Sequence, residues 1–440
     1  MRRIFFIILI SSLLGIAASL CQAESADSGS IKFTPLETIT QQKKNKMSLT
    51  GFTSVSADDS SGFTHLRFAF EAEEAWGIKP EIDIKKAAQK FLEYFFIGLA
   101  VPEENFWVNL SPYEPNRVID SLLSDTDPGR IMLGADLRLK KDASEFTNPK
   151  ISKTGKQFWS RLYEKAEQFV TLDSIPVSSR LWIVPDEVIV YETENQIFII
   201  KSRLRVCLES AYLSDSYNIK DRRERELEDF ASGLMQELVL PHLNERVNEG
   251  GTYADLKEVY QALILAKCYK EKFGYRSGYF LRRPAVEILE DAEINFPETP
   301  QQLYRNYLKS LKQGEYSFME TLTQGFSFYQ VVSVRQYFSG GVDFRNIKIK
   351  KTNKPIQSQT QKDKTYLTCD LFIPHGVKRP LEYAKNQLEV TTDGGSRQKE
   401  DVSIALAGNL PAISPVKFFE QRMQVLDSTD RADKIVLSRL

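Results

Sequence analysis

The sequence predicts an α+β fold in which helices pack on an antiparallel sheet, with a C-terminal portion that leans towards β-strand. Apolar residues recur at helical spacing in several long segments and alternate with polar residues at a period of two in others. The 440 residues are 42% hydrophobic and 27% charged, a composition typical of folded globular proteins. The chain is therefore long enough to bury a sizeable core.

The N-terminus has the pattern of an export signal. Arg2 and Arg3 precede an apolar run from Ile4 to Ala18, and small residues follow up to Ala23. We expect cleavage after Ala23 and a periplasmic or secreted protein. No later segment reaches about 18 consecutive apolar residues, so no transmembrane segment is expected in the mature chain. A lipid anchor at Cys21 is the alternative, but Leu20 is bulky where lipoprotein signals have a small residue.

Composition divides the chain into five parts. Residues 1–23 are the signal peptide, 24–62 a polar flexible leader, 63–349 an α+β body, 350–364 a basic linker or exposed loop, and 365–440 the β-leaning portion. The formal net charge of −1 provides no basic footprint, so neither nucleic acid nor an anionic membrane surface is an expected partner. An unknown protein or another envelope component is the expected partner.

Periodicity places the main elements of the body. The expected strands are His65 to Phe70, Phe106 to Leu110 and a long hairpin between Arg180 and Glu209. The expected helices are one capped by Asp83, one over Gly155 to Val170, a pair over Asp221 to Asn248 and Tyr253 to Phe273, and one after the capping box Thr299 to Gln302. Pro241 is expected to kink or split the first helix of the pair.

The stretch from Asn109 to Lys141 is the densest in polar residues and prolines. The alternation of Ile131, Leu133, Ala135, Leu137 and Leu139 with their neighbours predicts a strand from Ile131 to Lys141. Asp127-Pro128-Gly129 then forms the turn that leads into this strand. A helix starting near Asp127 is the alternative, which Gly129 and Gly134 disfavour.

This stretch also supplies the candidate site residues. Asp120, Asp125 and Asp136 are the catalytic candidates, because two carboxylates suffice for hydrolysis of a glycan. The binding candidates are Arg117, Arg130 and Asp127. The competing structural interpretation makes the acids loop residues, turn formers or members of surface ion pairs. The spacing of Asp120, Asp125 and Asp127 is not that of a calcium-binding loop.

Other residues point less clearly to chemistry. His242 and Glu245 lie three apart on a helix, but Arg246 stands where the inverted zinc protease motif has its second histidine. Ser339 with His375 and Asp343 lacks the surroundings of a nucleophile elbow, and a glycine-permitted turn is the preferred interpretation. No metal and no cofactor are predicted.

The remaining features concern surfaces and thiols. Lys201, Arg203 and Arg205 line one strand face, which is either solvated or receives an acidic partner. After cleavage three cysteines remain, Cys207, Cys268 and Cys369, and their spacing matches no metal motif. Buried thiols are expected, with one disulfide as the alternative in an oxidising compartment.

From Asn109 to Gly341 the chain resembles an uncharacterised family of secreted bacterial proteins. The residues that carry the resemblance are the strings NLSPYEPNRVID, DTDPGRIMLGADLRLKK, IVPDEVIVYE, ELVLPHLNERVNEG, YADLKEVYQALILAKCYK and RQYFSGG. The resemblance implies an exported protein and no particular activity. We therefore expect a non-enzymatic interaction or envelope-associated component, with a carboxylate-dependent hydrolase acting on an extracytoplasmic glycan as the alternative.

Overall fold

A mixed sheet of ten strands runs through the described part of this computed structural model. The structure describes residues 49–60, 63–72, 80–169, 174–194, 196–209, 222–249, 251–273, 292, 296–316, 319–322, 332–352, 365–374, 377–387 and 390–391. All of them belong to one unit, Lys46–Leu440.

The strands range from 2 to 19 residues in length. They are β1 Leu49–Ser60, β2 Phe63–Ala72, β3 Trp107–Asn109, β4 Ser174–Glu192, β5 Gln196–Leu208, β6 Met319–Leu322, β7 Val332–Asp343, β8 Ile349–Thr352, β9 Thr365–Pro374 and β10 Val390–Thr391.

Nine α-helices lie within the described residues. They are α1 Pro80–Ala100, α2 Ser121–Ser124, α3 Asp127–Thr147, α4 Lys153–Ala166, α5 Arg222–Leu234, α6 Leu240–Glu249, α7 Ala254–Phe273, α8 Pro300–Gln313 and α9 Pro380–Gln387. A π-helical turn, Met235–Val239, separates α5 from α6 just before Pro241. The regular α-helical pattern is therefore interrupted next to this proline, while the chain stays helical through Pro241 itself.

The sheet confirms the α+β class. Its strand order is β10-β9-β2-β1-β5-β4-β7-β3, with β6 paired to β7 and β8 paired to β4. Most pairings are antiparallel, as predicted, whereas β4 runs parallel to both β7 and β8. In the C-terminal portion, β9 and β10 pair with each other around α9. Alternation in the sequence also predicts a strand from Val402 to Ala407, which lies outside the described residues.

The hydrophobic core lies between the sheet and helices α1 and α7. Phe95 of α1 meets Phe68 of β2 and Tyr269 of α7 edge to face, at centroid distances of 5.3 and 5.7 Å. Phe91 and Phe96 are also fully buried in this core. The predicted helix capped by Asp83 therefore exists, but it begins three residues earlier, at Pro80.

The predicted strand from Ile131 to Lys141 and the turn before it are wrong, because α3 spans Asp127–Thr147. Thr126 caps this helix by accepting a hydrogen bond from the Gly129 backbone N–H at 3.3 Å, and Pro128 occupies the first turn, where its missing N–H has no cost. The helix is buried on several sides, with Met132, Leu133 and other residues at zero exposure. A helix buried nearly all round has no clear polar face, so its apolar positions resemble alternation.

Parts of the predicted leader and of the predicted linker form strands of the sheet. Residues 49–60, assigned to the leader, form β1, which pairs with β2 and β5. Lys350 to Thr352, assigned to the linker, belong to β8. The signal peptide, Cys21 and residues 353–364 lie outside the described residues. Within the part that the structure describes, no helix has the length and apolar character required to cross a membrane.

Two asparagines of α6 close one free edge of β5. Asn244 accepts a hydrogen bond from Val206 N at 2.8 Å and donates one to Val206 O at 3.3 Å. Asn248 does the same with Leu204, at 3.0 and 2.8 Å. Residues four apart on a helix and residues two apart on a strand are separated by similar distances. This asparagine ladder can therefore satisfy the backbone groups of β5, as a neighbouring strand would.

Side chains also fill a gap along β7. On the edge away from β4, β6 pairs with residues 332–335 and β3 with residues 341–343. Between them, Tyr307 donates a hydrogen bond to Phe338 O at 2.8 Å and Lys140 donates one to Gly340 O at 3.2 Å. Gly340 has a φ of 100°, and a Cβ there would lie 2.0 Å from Leu181 O. Only glycine allows this close approach of the strands.

Candidate functional site

The polar stretch from Asn109 to Lys141 places its three candidate acids in three different environments. Asp120 caps α2 by accepting a hydrogen bond from Leu122 N at 2.8 Å. The Asp125 carboxylate is 77% exposed and lies 3.5 Å from the guanidinium of Arg130. Asp136 is fully buried. Asp136 and Asp125 therefore lie in opposite environments, one fully buried and the other largely exposed.

Asp136 belongs to a buried ion pair. Lys140 lies one turn further along α3, is equally buried, and donates a hydrogen bond to the Asp136 carboxylate. Asp136 also accepts a hydrogen bond from Leu110 N at 2.8 Å. Lys140 reaches Gly340 O and lies 5.7 Å from the centroid of the Tyr307 ring. The pair therefore connects α3 to the end of β3, to β7 and to α8.

Burial shifts the pKa of both partners towards the neutral forms. Removal from water raises the pKa of the Asp136 carboxyl and lowers the pKa of the Lys140 ammonium. Their mutual attraction and the hydrogen bond between them act in the opposite direction. Such shifts also occur at catalytic sites, but here both groups bond to fixed protein atoms and neither is accessible to a substrate.

A second buried charge group ties the loop after β3 to β4. Arg180 lies 3.5 Å from the carboxylate of Glu114 and 2.8 Å from that of Glu209. Its guanidinium lies 5.2 Å from the centroid of the Trp182 ring. Glu114 in turn accepts a hydrogen bond from the Asn109 side chain. These contacts hold the loop against the sheet and leave the charges compensated.

A third group surrounds Asp142 near the C-terminal end of α3. Its carboxylate lies 2.9 Å from Arg138 and from Arg246, and accepts a hydrogen bond from the Tyr253 hydroxyl at 2.9 Å. Burial raises the pKa of Asp142, and the two arginines oppose that rise. Arg246 also lies 4.4 Å from the centroid of the Phe146 ring. This group fixes α6 against α3.

The three binding candidates have mostly internal roles. Arg130 donates hydrogen bonds to the carbonyls of Ser124 and Glu298. Asp127 is buried in the first turn of α3, where an acid is favoured by the helix dipole. Arg117 is 62% exposed and lies 5.6 Å from the centroid of the Trp107 ring. Arg117 is thus the one of these three that faces solvent.

The histidine and serine candidates do not form sites in the described residues. His242 is exposed and stacks on Phe146 at a centroid distance of 5.3 Å. Across the described part of the chain, no group of three or more metal-ligating side chains converges. Ser339 is fully buried, and the Asp343 carboxylate bonds Arg345 at 2.6 and 2.9 Å. His375 lies outside the described residues.

The strand face predicted from Lys201, Arg203 and Arg205 exists. These three side chains are exposed on β5, while Leu204 and Val206, which alternate with the arginines, are buried. Lys350 of β8 lies in the same row as Lys201, because both pair with Ile189 of β4. We refer to Lys201, Arg203, Arg205 and Lys350 as the basic face.

The sequence did not single out Lys140, Arg180 or Glu114. Lys140 pairs with the candidate Asp136, whereas Arg180 and Glu114 pair with each other. Lys140 follows Asp136 by four residues, a spacing at which oppositely charged side chains meet on a helix. That signal was hidden because the segment was predicted to be a strand. Arg180 and Glu114 are 66 residues apart, and no local pattern reports such a contact.

Comparison of the chain with family models, curated proteins and solved structures finds no match. The function must therefore be argued from the residues and contacts described above.

Proposed function

We propose that the chain is an exported protein that acts by binding a partner in the cell envelope or outside the cell, without catalysing a reaction. The N-terminal pattern of Arg2, Arg3 and the apolar run to Ala18 supports export. The observation that carries the binding proposal is the use of the candidate acids within the fold. Asp136 is neutralised by Lys140, and Asp120 caps a helix.

The buried charge groups support this proposal because they consolidate α3, β4 and β7 without leaving a reactive group in solvent. Each carboxylate among Glu114, Asp136 and Asp142 has at least one cationic partner within 4.0 Å. Buried charges compensated in this way stabilise one arrangement of neighbouring elements when each partner is satisfied. A rigid scaffold of this kind suits a protein that presents a surface.

A binding assay with the purified chain tests the proposal. The chain is cross-linked in an envelope fraction, the partner is identified by mass spectrometry, and the complex is rebuilt from the two purified proteins. We expect co-elution at a fixed stoichiometry in size-exclusion chromatography. Recovery of no partner that re-forms a complex would contradict the proposal.

The hydrolase alternative is tested with the same protein. Purified chain is incubated with cell-wall glycan, and released reducing ends are measured. We expect no release above that from a D120N/D125N double variant, which replaces the two more accessible acids. Release by the unmodified chain that is abolished in this variant, with an unchanged melting temperature, would favour the hydrolase and overturn the binding proposal.

A further inference from the structure

We propose that the basic face receives an acidic segment of a partner protein, bound in an extended conformation along β5. This inference rests on the proposed binding function and specifies the chemistry of the partner. It is carried by the position, spacing and charge balance of the four cations on the open side of the sheet.

The spacing of the cations suits an extended polypeptide. Lys201, Arg203 and Arg205 occupy alternate positions of β5, so their side chains project from the same face at intervals of about 6.6 Å. An extended segment with an acid at every second residue presents its carboxylates at the same interval. The two rows can therefore meet without a change in either backbone.

Within the described residues, the charge on the face is only partly balanced, by Glu187. Glu187 lies 2.6 Å from Lys201 and 4.0 Å from Lys350, and its hydrogen bond with Lys201 lowers its pKa. Arg203 and Arg205 have no carboxylate within ion-pair distance in the described residues. Exposed guanidiniums favour carboxylates, which they bind with two parallel hydrogen bonds.

Apolar side chains between the cations favour a polypeptide over an anionic polysaccharide. Val184 pairs with Arg205, and Ile189 pairs with Lys201 and Lys350. Ile200, at the irregularity in β5, is 38% exposed. In an extended segment the residues between the acids point away from the face, but the methylene groups of the glutamate side chains can pack on Val184 and Ile189. Arginine is enriched in protein interfaces, so Arg203 and Arg205 agree with a protein partner.

Two isomeric peptides test this inference. In the first, glutamates alternate with valines, and in the second the same glutamates are consecutive. Both are labelled with a fluorophore, and binding to the purified chain is measured by anisotropy at low salt. We expect the alternating peptide to bind at least tenfold more tightly, and its affinity to fall as salt is raised because exposed charge pairs are screened. Equal affinities for the two isomers would overturn the inference.

A charge-reversal variant locates the binding site. The R203E/R205E double variant is expected to reduce the affinity for the alternating peptide at least tenfold. The matched control is K153E/K156E, which makes the same change in net charge at two exposed lysines of α4. The control is expected to bind within about twofold of the unmodified chain. A similar loss in both variants, or no loss in R203E/R205E, would overturn the inference.

Competition identifies the partner class and separates this inference from the proposed function. Dextran sulfate is expected to displace the alternating peptide poorly, and tighter binding of dextran sulfate than of the peptide would overturn the polypeptide assignment. The partner recovered from the envelope fraction is then tested against R203E/R205E. An unchanged affinity for that partner would refute the basic face as its site while leaving the binding function intact. Loss of that complex in R203E/R205E and retention in K153E/K156E would support both.

Discussion

Replacing Lys140 with methionine should be among the most destabilising single changes in the described part of the chain. Methionine has a similar length but leaves the buried Asp136 carboxylate without its cation and Gly340 O without its donor. Removing one partner of a buried ion pair typically costs about 3–5 kcal/mol. Since many domains have a free energy of unfolding of about 5–15 kcal/mol, the loss is a large part of the total.

The double variant D136N/K140M distinguishes a buried charge effect from a packing effect. Asparagine keeps a side-chain oxygen that can accept the hydrogen bond from Leu110 N, and the double variant contains no unpaired charge. We expect it to recover most of the loss and to retain a deficit of about 1 kcal/mol from the unsatisfied Gly340 O. Urea denaturation monitored by tryptophan fluorescence gives the free energy of unfolding of each variant. A double-mutant cycle that includes D136N then gives the recovered stability and the remaining deficit.

The cost of K140M should also depend on pH. Burial raises the pKa of Asp136 in the folded protein, and the variant lacks the lysine that opposes this rise. When the pKa of a carboxyl is higher in the folded than in the unfolded protein, the folded protein becomes less stable as pH rises and more stable as pH falls. The deficit should therefore shrink between neutral and mildly acidic pH. A loss below about 1 kcal/mol in K140M, or a double variant no more stable than K140M, would refute the reasoning.

The variant G134A should raise the free energy of unfolding by about 0.5–1 kcal/mol, because a Cβ at this position of α3 meets open space. The variant G340A should lower the free energy of unfolding by about 1–3 kcal/mol, because Gly340 has a positive φ. Chemical denaturation of the two variants measures this, and equal effects would contradict it. The double variant N244A/N248A should lower the free energy of unfolding by about 1 kcal/mol per residue and expose the edge of β5. We expect concentration-dependent self-association, which light scattering measures. A variant that stays monomeric would contradict the role of the asparagine ladder. Burial raises the pKa of the Cys268 thiol to about 12, so Cys268 should resist alkylation at pH 8 until the chain is unfolded. Mass spectrometry detects the label, and labelling of the native protein would contradict this prediction.

Much of the fold could be predicted where a segment has one buried and one solvated face. The hairpin of β4 and β5 shows this, because Leu204 and Val206 are buried while Arg203 and Arg205 are exposed. The capping box of α8 was equally visible, since Thr299 and residue Gln302 bond each other's backbone groups. In both cases the local pattern contains the information that decides the structure.

Local patterns failed where long-range packing decides. Helix α3 was predicted as a strand because burial on several sides removed its polar face, and the packing of this buried surface outweighs the cost of Gly134. Strand β1 was predicted as a flexible leader because Ser, Thr and Asp dominate it, yet its backbone pairs with β2 and β5. The polar composition of a strand does not report whether neighbours will complete its hydrogen bonds.

The candidate site shows the same limit. The sequence identified Asp136 as a residue of interest, but its partner Lys140 and its environment depend on the correct helix. The contact of Arg180 with Glu114 depends on how β4 lies beside the loop after β3. The basic face was predicted correctly as a strand face, because the alternation in β5 is local, while the contribution of Lys350 from β8 required the sheet topology.

The pairing of β2 with β9 has a consequence for how the chain reaches its native state. Phe63 pairs with Pro374, a partner more than 300 positions later in the sequence. The sheet therefore cannot be completed until nearly the whole polypeptide is available, and a high contact order of this kind slows folding. A chain of this topology stays incompletely folded through most of its synthesis. Until β9 arrives, β2 exposes an unpaired edge, so the period before β9 pairs with β2 is when the chain is most prone to aggregate.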